Sequence, residues 1–174
     1  DGQPIGEMEA LGYYVIVATA GHDTTSASTA GGLLALMQNP EQMNKLRNDL
    51  SLLPHAIEEM FRWETPVKHF LRTATEDYTL RGRSIKEGDR LMMMYASGNR
   101  DEEVFNNPFE FQVDRRPNKQ IAFGYGVHRC LGHLLAKMEM SAFYKALLER
   151  TTDIQLNGDP AWIHATFVSG LKRL

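Results

Sequence analysis

Apolar residues recur at helical spacing in several stretches of the chain, and the pattern changes to alternation in one region between them. The first helical stretch runs from Glu7 to about Gln38 and is stopped by Asn39-Pro40. Proline cannot continue a helix, and it restricts the residue before it. At 1.5 Å rise per residue such a helix is about 45 Å long, enough to cross a domain. Its character breaks midway, at Ala20-Gly21-His22-Asp23-Thr24-Thr25. Gly21 weakens a helix, and a threonine hydroxyl can bond back to an i−4 carbonyl and bend it. Asn39 as N-cap with Pro40 at N1 then opens a short helix through Asn48. A third helix opens at Ser51 or Pro54 and carries Ala56, Ile57, Met60 and Phe61 to about Trp63.

Between Arg72 and Ala96 the period becomes that of strands: Thr73, Thr75, Tyr78, Leu80, Ile85 and Leu91 to Met94, with turns at Arg81-Gly82 and Lys86 to Asp89. The methionine run is expected to be strand core rather than a metal box. Ala96 to Asn99 reads as a short helix, and Arg100 to Asn118 as an irregular segment pinned to the core by Phe105, Phe109 and Phe111. Leu131, Leu134, Leu135 and Met138 fall at i, i+3, i+4 and i+7, an amphipathic helix expected to end near Arg150. Thr152 to Leu156 and Ala165 to Leu174 read as terminal strands around Asn157-Gly158-Asp159-Pro160. The fold class is mostly α, an α+β arrangement with small sheets to one side.

Composition narrows the function classes. With 174 residues, 43% of them apolar, the chain has the length of one domain and can build a core. A net charge of −3 with interspersed signs leaves no basic footprint for nucleic acid. The most apolar run, Leu11 to Ala20, is too short to span a bilayer, and no signal peptide opens the chain. One cysteine gives no disulfide framework and fits a reducing cytoplasm. The expectation is a soluble, cytoplasmic protein.

That cysteine, Cys130, lies in the most informative stretch of the chain. Gly124 and Gly126 precede it and Gly132 follows it, so a glycine turn delivers Cys130 to a helix N-terminus. Backbone N–H groups and the helix dipole at such a place favour thiolate over thiol. A thiolate there serves as nucleophile, redox thiol or metal ligand. His128 and His133 flank it and would make a His-x-Cys-x-x-His zinc site, which supplies three ligands where a structural zinc wants four. The plain alternative is a buried cysteine in a glycine turn.

The whole string of residues 123–136, Phe-Gly-Tyr-Gly-Val-His-Arg-Cys-Leu-Gly-His-Leu-Leu-Ala, resembles the haem-binding loop of the cytochromes P-450. In that family the cysteine is the thiolate ligand of haem iron, and its electron donation favours O–O cleavage. Three further motifs stand in the family's order: Ala-Gly-His-Asp-Thr at residues 20–24, Glu59-Met60-Phe61-Arg62, and Asp114-Arg115-Arg116-Pro117-Asn118. The resemblance implies haem b as cofactor, with Cys130 as the metal ligand. Phe123, Gly124 and Gly132 would shape the proximal loop, Ala20 and Gly21 would make room on the distal face, and Arg72 and His128 would anchor propionates. Asp23 and Thr24 would relay protons to dioxygen, and Glu59 with Arg62 and Arg115 would form a buried structural ion pair. Val67, Phe70 and Leu71 are candidates for pocket lining.

The implied activity is hydroxylation of a small apolar substrate by O2, with electrons from a ferredoxin-type donor. The flavour is that of soluble bacterial members that hydroxylate terpene alcohols. Family members are more than twice this length, so residues 1–174 are expected to be the C-terminal part of one domain. The alternative function is a truncated, non-catalytic fragment, haem-binding or haem-free, covering its bare faces by self-association.

Overall fold

The computed structural model describes residues 2–174, so Asp1 of the polar opening segment lies outside the described residues. The helices are α1 (Glu7–Gln38), α2 (Pro40–Asn48), α3 (Leu53–Glu64), α4 (Tyr95–Gly98) and α5 (His133–Arg150). The strands are β1 (His69–Thr73), β2 (Tyr78–Leu80), β3 (Arg83–Ile85), β4 (Arg90–Met94), β5 (Ala161–Trp162) and β6 (Leu171–Arg173). Helix α1 is continuous through Gly21: Thr24 Oγ1 donates to the Ala20 carbonyl at 2.8 Å without interrupting it. Asn39 does not cap α2 with its side chain, contrary to expectation. Its Nδ2 instead donates to the Ala35 carbonyl at 2.8 Å, because the last carbonyls of α1 also lack partners.

The C-terminal half of α1 packs against α3 and α5, and α2 closes one end of the layer. Leu36, Leu46, Ile57, Met60, Met140 and Tyr144 are buried at the centre, with Phe111 and Val113 brought in by the irregular segment after α4. The helices approach closely at Gly31 and Gly32. A Cβ on Gly32 would lie 2.8 Å from both the Met60 side chain and the Tyr144 hydroxyl, which itself donates to the Thr29 carbonyl at 2.6 Å.

Three two-stranded antiparallel sheets flank the helices. Strands β1 and β4 pair from His69↔Met94 to Thr73↔Arg90, and β2 and β3 meet at the expected Arg81-Gly82 turn. The terminal sheet differs from expectation. Residues 152–156 form no strand: Ile154 packs on the core and Gln155 donates to Asp153 at 2.6 Å, while Arg47 holds the Leu148 and Thr151 carbonyls just ahead of them. The partner of β6 is the short β5, and Val168 contributes one isolated bridge to Val67.

Several apolar residues expected inside lie at the surface. Met92, Met93 and Met94 are in a strand but exposed, and Phe109 is exposed while Phe105 and Phe111 are buried. Leu131, Leu134, Leu135 and Met138 are exposed as well, and α5 instead buries Met140, Tyr144 and Leu148, the face that meets α1 and α3. Among the described residues no element packs over those positions.

Candidate active site

The cysteine loop is a closed backbone structure. The Gly124 amide donates to the Ile121 carbonyl at 2.8 Å, Arg129 to Gly126 at 3.1 Å, and Cys130 to Phe123 at 2.9 Å. Gly124 and Gly126 adopt φ of +69° and +71°, a left-handed region in which side chains with a Cβ are strained. A single 3-10 turn, Gly126–His128, then brings the chain to Cys130. After the cysteine the chain enters α5, and the His133 ring Nδ1 donates to the Cys130 carbonyl at 2.8 Å. Phe123 backs the loop, its ring 4.4 Å from that of Phe61 and 6.0 Å from that of His133.

What the loop presents is unusual for a protein surface. Cys130 is exposed and unpartnered, and around it Val127 is 96% exposed and Leu131 82%. His128, Cys130 and His133 do not make a zinc site: no group of three or more His, Cys, Asp or Glu placed to hold a metal occurs among the described residues. The cysteine is also not the buried thiol of the plain alternative. An exposed thiol on a loop that also exposes Val127 and Leu131 fits a flat, largely apolar metal cofactor that Cys130 would hold through its sulfur.

Arg72 stands on β1, exposed, with its guanidinium donating only to its neighbour's carbonyl, that of Leu71, at 2.8 Å. His128 is exposed on the 3-10 turn. Neither forms an ion pair among the described residues, so both are available to carboxylates from outside the chain. Ala20, Gly21 and Asp23 are exposed on the middle of α1 and Thr24 is partly so; a Cβ on Gly21 would meet nothing within 4 Å. Asp23 Oδ1 lies 2.8 Å from His22 Nδ1. No hydrogen bond joins this group to the cysteine loop among the described residues. Val67 is half-buried at the Val168 bridge, while Phe70 and Leu71 are exposed on β1.

Glu59, Arg62 and Arg115 meet in the interior. Arg62 grips the Glu59 carboxylate in a bidentate fork at 2.7 and 2.8 Å, and Arg115 Nε donates to the same oxygens at 3.0 and 3.1 Å. Two guanidiniums face one carboxylate, and main-chain carbonyls take up the surplus donors: those of Asn99, Pro108 and Glu110 for Arg62, and of Asn106, Asn107 and Glu110 for Arg115. The Gln112 amide and the Asn118 side chain complete the shell of Glu59 at 3.0 Å each.

Sequence reasoning missed Gln112, Asn118 and Asn99. Asn99 bridges Thr65 and the Ile121 amide at 2.8 Å, linking α3 to the start of the cysteine loop. These residues lie on irregular chain, where no periodicity marks them. Also missed was Glu64. Its carboxyl is pushed up to about 7 by burial, with nearby Arg100 opposing, and its Oε1 is buried without a partner.

Comparison with known proteins follows the same lines. The family model Cytochrome P450 matches residues 7–152. The whole chain is 47% identical to Cytochrome P450-terp of Pseudomonas sp, covering 41% of that protein, and 38% identical to the steroid C26-monooxygenase of Mycobacterium tuberculosis, covering 48% of it. Among solved structures, CYP108D1 from Novosphingobium aromaticivorans superposes on 99% of the chain with a TM-score of 0.91 at 45% identity, over 42% of its own length. The chain thus spans less than half the length of the curated relatives it matches.

Proposed function

The chain belongs to the cytochrome P450 family, a haem-thiolate family, and from that premise we propose that it is the haem-holding part of a monooxygenase that hydroxylates a small apolar substrate. The observation that carries this reading is the exposed, unpartnered Cys130 in its apolar, glycine-turned loop. Cys130 would ligate the iron, Phe123 would back the thiolate, and the backbone geometry at Gly124 and Gly132 would let a flat ring lie against the loop. Arg72 and His128 would hold the propionates, since each is an exposed donor without a carboxylate of its own. When bound, haem b with a thiolate ligand supplies the chemistry that places one oxygen atom of O2 in a C–H bond and releases the other as water.

Asp23 and Thr24 would handle protons on the opposite face. The Thr24 hydroxyl donates to Ala20 and can turn to pass a proton on, while the Asp23 carboxyl, exposed beside His22, can be recharged from solvent. The likeness to P450-terp supports a terpenoid substrate, and a ferredoxin-type protein would deliver electrons. No helix among the described residues is long and apolar enough to cross a membrane, and a cytoplasmic setting suits a lone free thiol. Residues 1–174 would form one part of a single domain.

A second reading is favoured by the bare apolar faces of α1 and α5: by themselves these residues would be a non-catalytic fragment that self-associates. One spectrum separates the two. Reduced, haem-loaded chain under carbon monoxide should show a strongly red-shifted Soret band, absent in Cys130→Ala. A band of the imidazole-ligated type in the unaltered chain would overturn the assignment of Cys130 and leave the second reading.

A further inference from the structure

Both stems of the cysteine loop are tied to one carboxylate on α3. Ahead of the loop, Gln120 Nε2 donates to Glu58 Oε2 at 2.9 Å, and Gln120 Oε1 accepts from the Ala122 amide at 2.7 Å. Behind it, Lys137 on α5 donates to Glu58 Oε1. The Lys137 ammonium also stands 5.4 Å from the centroid of the Phe123 ring, which packs on Phe61 at 4.4 Å. The pair is largely covered, with 23% of the Lys137 side chain and 28% of Glu58 exposed, so it is less screened than a surface pair. The ring it presses on belongs to the residue whose carbonyl holds the Cys130 amide at 2.9 Å.

We propose that Glu58 and Lys137 form a clamp that positions Cys130: Lys137, anchored by Glu58, pins the Phe123 ring by a cation–π contact and so fixes the cysteine loop before any cofactor arrives. The inference rests on Cys130 being the iron ligand for its functional meaning, but the loop geometry is a property of the chain itself. Preformed ligand geometry is what an axial sulfur requires, since a ligand held in place loses less freedom on binding. The clamp carries a second consequence. In the pair the Lys137 charge is offset by Glu58, so removing Lys137 alone leaves a bare carboxylate near the ring that backs the thiolate, which would lower the reduction potential of a bound haem.

The test is amide hydrogen exchange at Cys130 in the haem-free chain, with Leu36 in the helical core as internal reference. Lys137→Met and Glu58→Gln should each speed exchange at Cys130 by about tenfold while leaving Leu36 unchanged. Lys137→Arg, which keeps both the ion pair and the ring contact, should restore the unaltered rate. In haem-loaded protein Lys137→Met should lower the reduction potential and Lys137→Arg should not. Equal rates at Cys130 in all variants would overturn the clamp, as would acceleration at Cys130 and Leu36 alike, which would make the pair a part of general stability. If the unaltered chain lacks a thiolate spectrum and yet shows the selective exchange pattern, the iron-ligand reading falls and the clamp stands.

Discussion

The two halves of α1 are the same helix under opposite conditions. From Ala27 to Leu36 its small and apolar residues are buried against α3 and α5, close enough that glycine is needed at 31 and 32. From Met8 to Val17 its residues are just as apolar, yet Met8, Tyr14 and Ile16 stand in the open. The polar groups are distributed the other way. The buried region holds Glu59, Arg62 and Arg115 with their donors satisfied, whereas the open region holds a thiol, an acid and a hydroxyl with little to bond to. Buried polarity marks the scaffold here, and exposed apolarity marks the surface where something else belongs. Helical periodicity is blind to that distinction, since it records what a residue avoids and not what covers it.

The contrast can be broken most severely at Arg62. Arg62→Ala would take two of the six hydrogen bonds from the buried Glu59 carboxylate and leave the Asn99 and Pro108 carbonyls unpaired, at about 3–5 kcal/mol. Urea denaturation should show a chain near or below its folding threshold.

Glu64 gives a smaller effect with a defined sign. Its folded pKa of about 7 lies above the ordinary 4.5, so the folded state holds the proton more tightly. Stability should be full below about pH 4.5, fall as pH rises toward 7, and level off above, a loss of up to about 3 kcal/mol. Glu64→Gln should flatten that profile and be the more stable protein at pH 8; an unchanged slope would show that another group sets it.

Gly31→Ala comes next. Its Cβ would collide with Glu64 Oε2, so the carboxylate must swing aside at about 1–2 kcal/mol, and the pH dependence should shrink with it. Smallest of all, Tyr14→Ser and Val127→Ser should change stability by less than about 0.5 kcal/mol, although both remove large apolar side chains. Val127→Ser should still weaken haem retention, read as cofactor loss to apomyoglobin. A stability loss comparable to a core truncation would mean that these faces already pack on something, a second copy included.

Much of the architecture was legible because its signals are local. The ends of α1 follow from Gly6 and Asn39-Pro40, the β2–β3 turn from Arg81-Gly82, and the cysteine loop from three glycines around one thiol. The i, i+3 spacing of Glu59 and Arg62 puts both on one helix face, but by itself reads as a solvated surface pair; their burial together with Arg115 was legible only through family resemblance. What stayed hidden depends on tertiary competition. Asn39 could cap either of two helices, Ile154 was drawn onto the core, and among the described residues nothing covers the methionine faces of the two-stranded β1–β4 sheet. Nothing in the local sequence around Glu58 or Lys137 points from one to the other.

The acceptors around Arg62 and Arg115 carry one last implication. Apart from Glu59 they are main-chain carbonyls, at 99, 106, 107, 108 and 110, so the guanidiniums count links in the chain and do not read its letters. Most side chains along 106–110 can drift without disturbing them, Asn107 with its φ of +48° being the exception. Insertion or deletion of a single residue there cannot, because it would carry every following carbonyl past its donor.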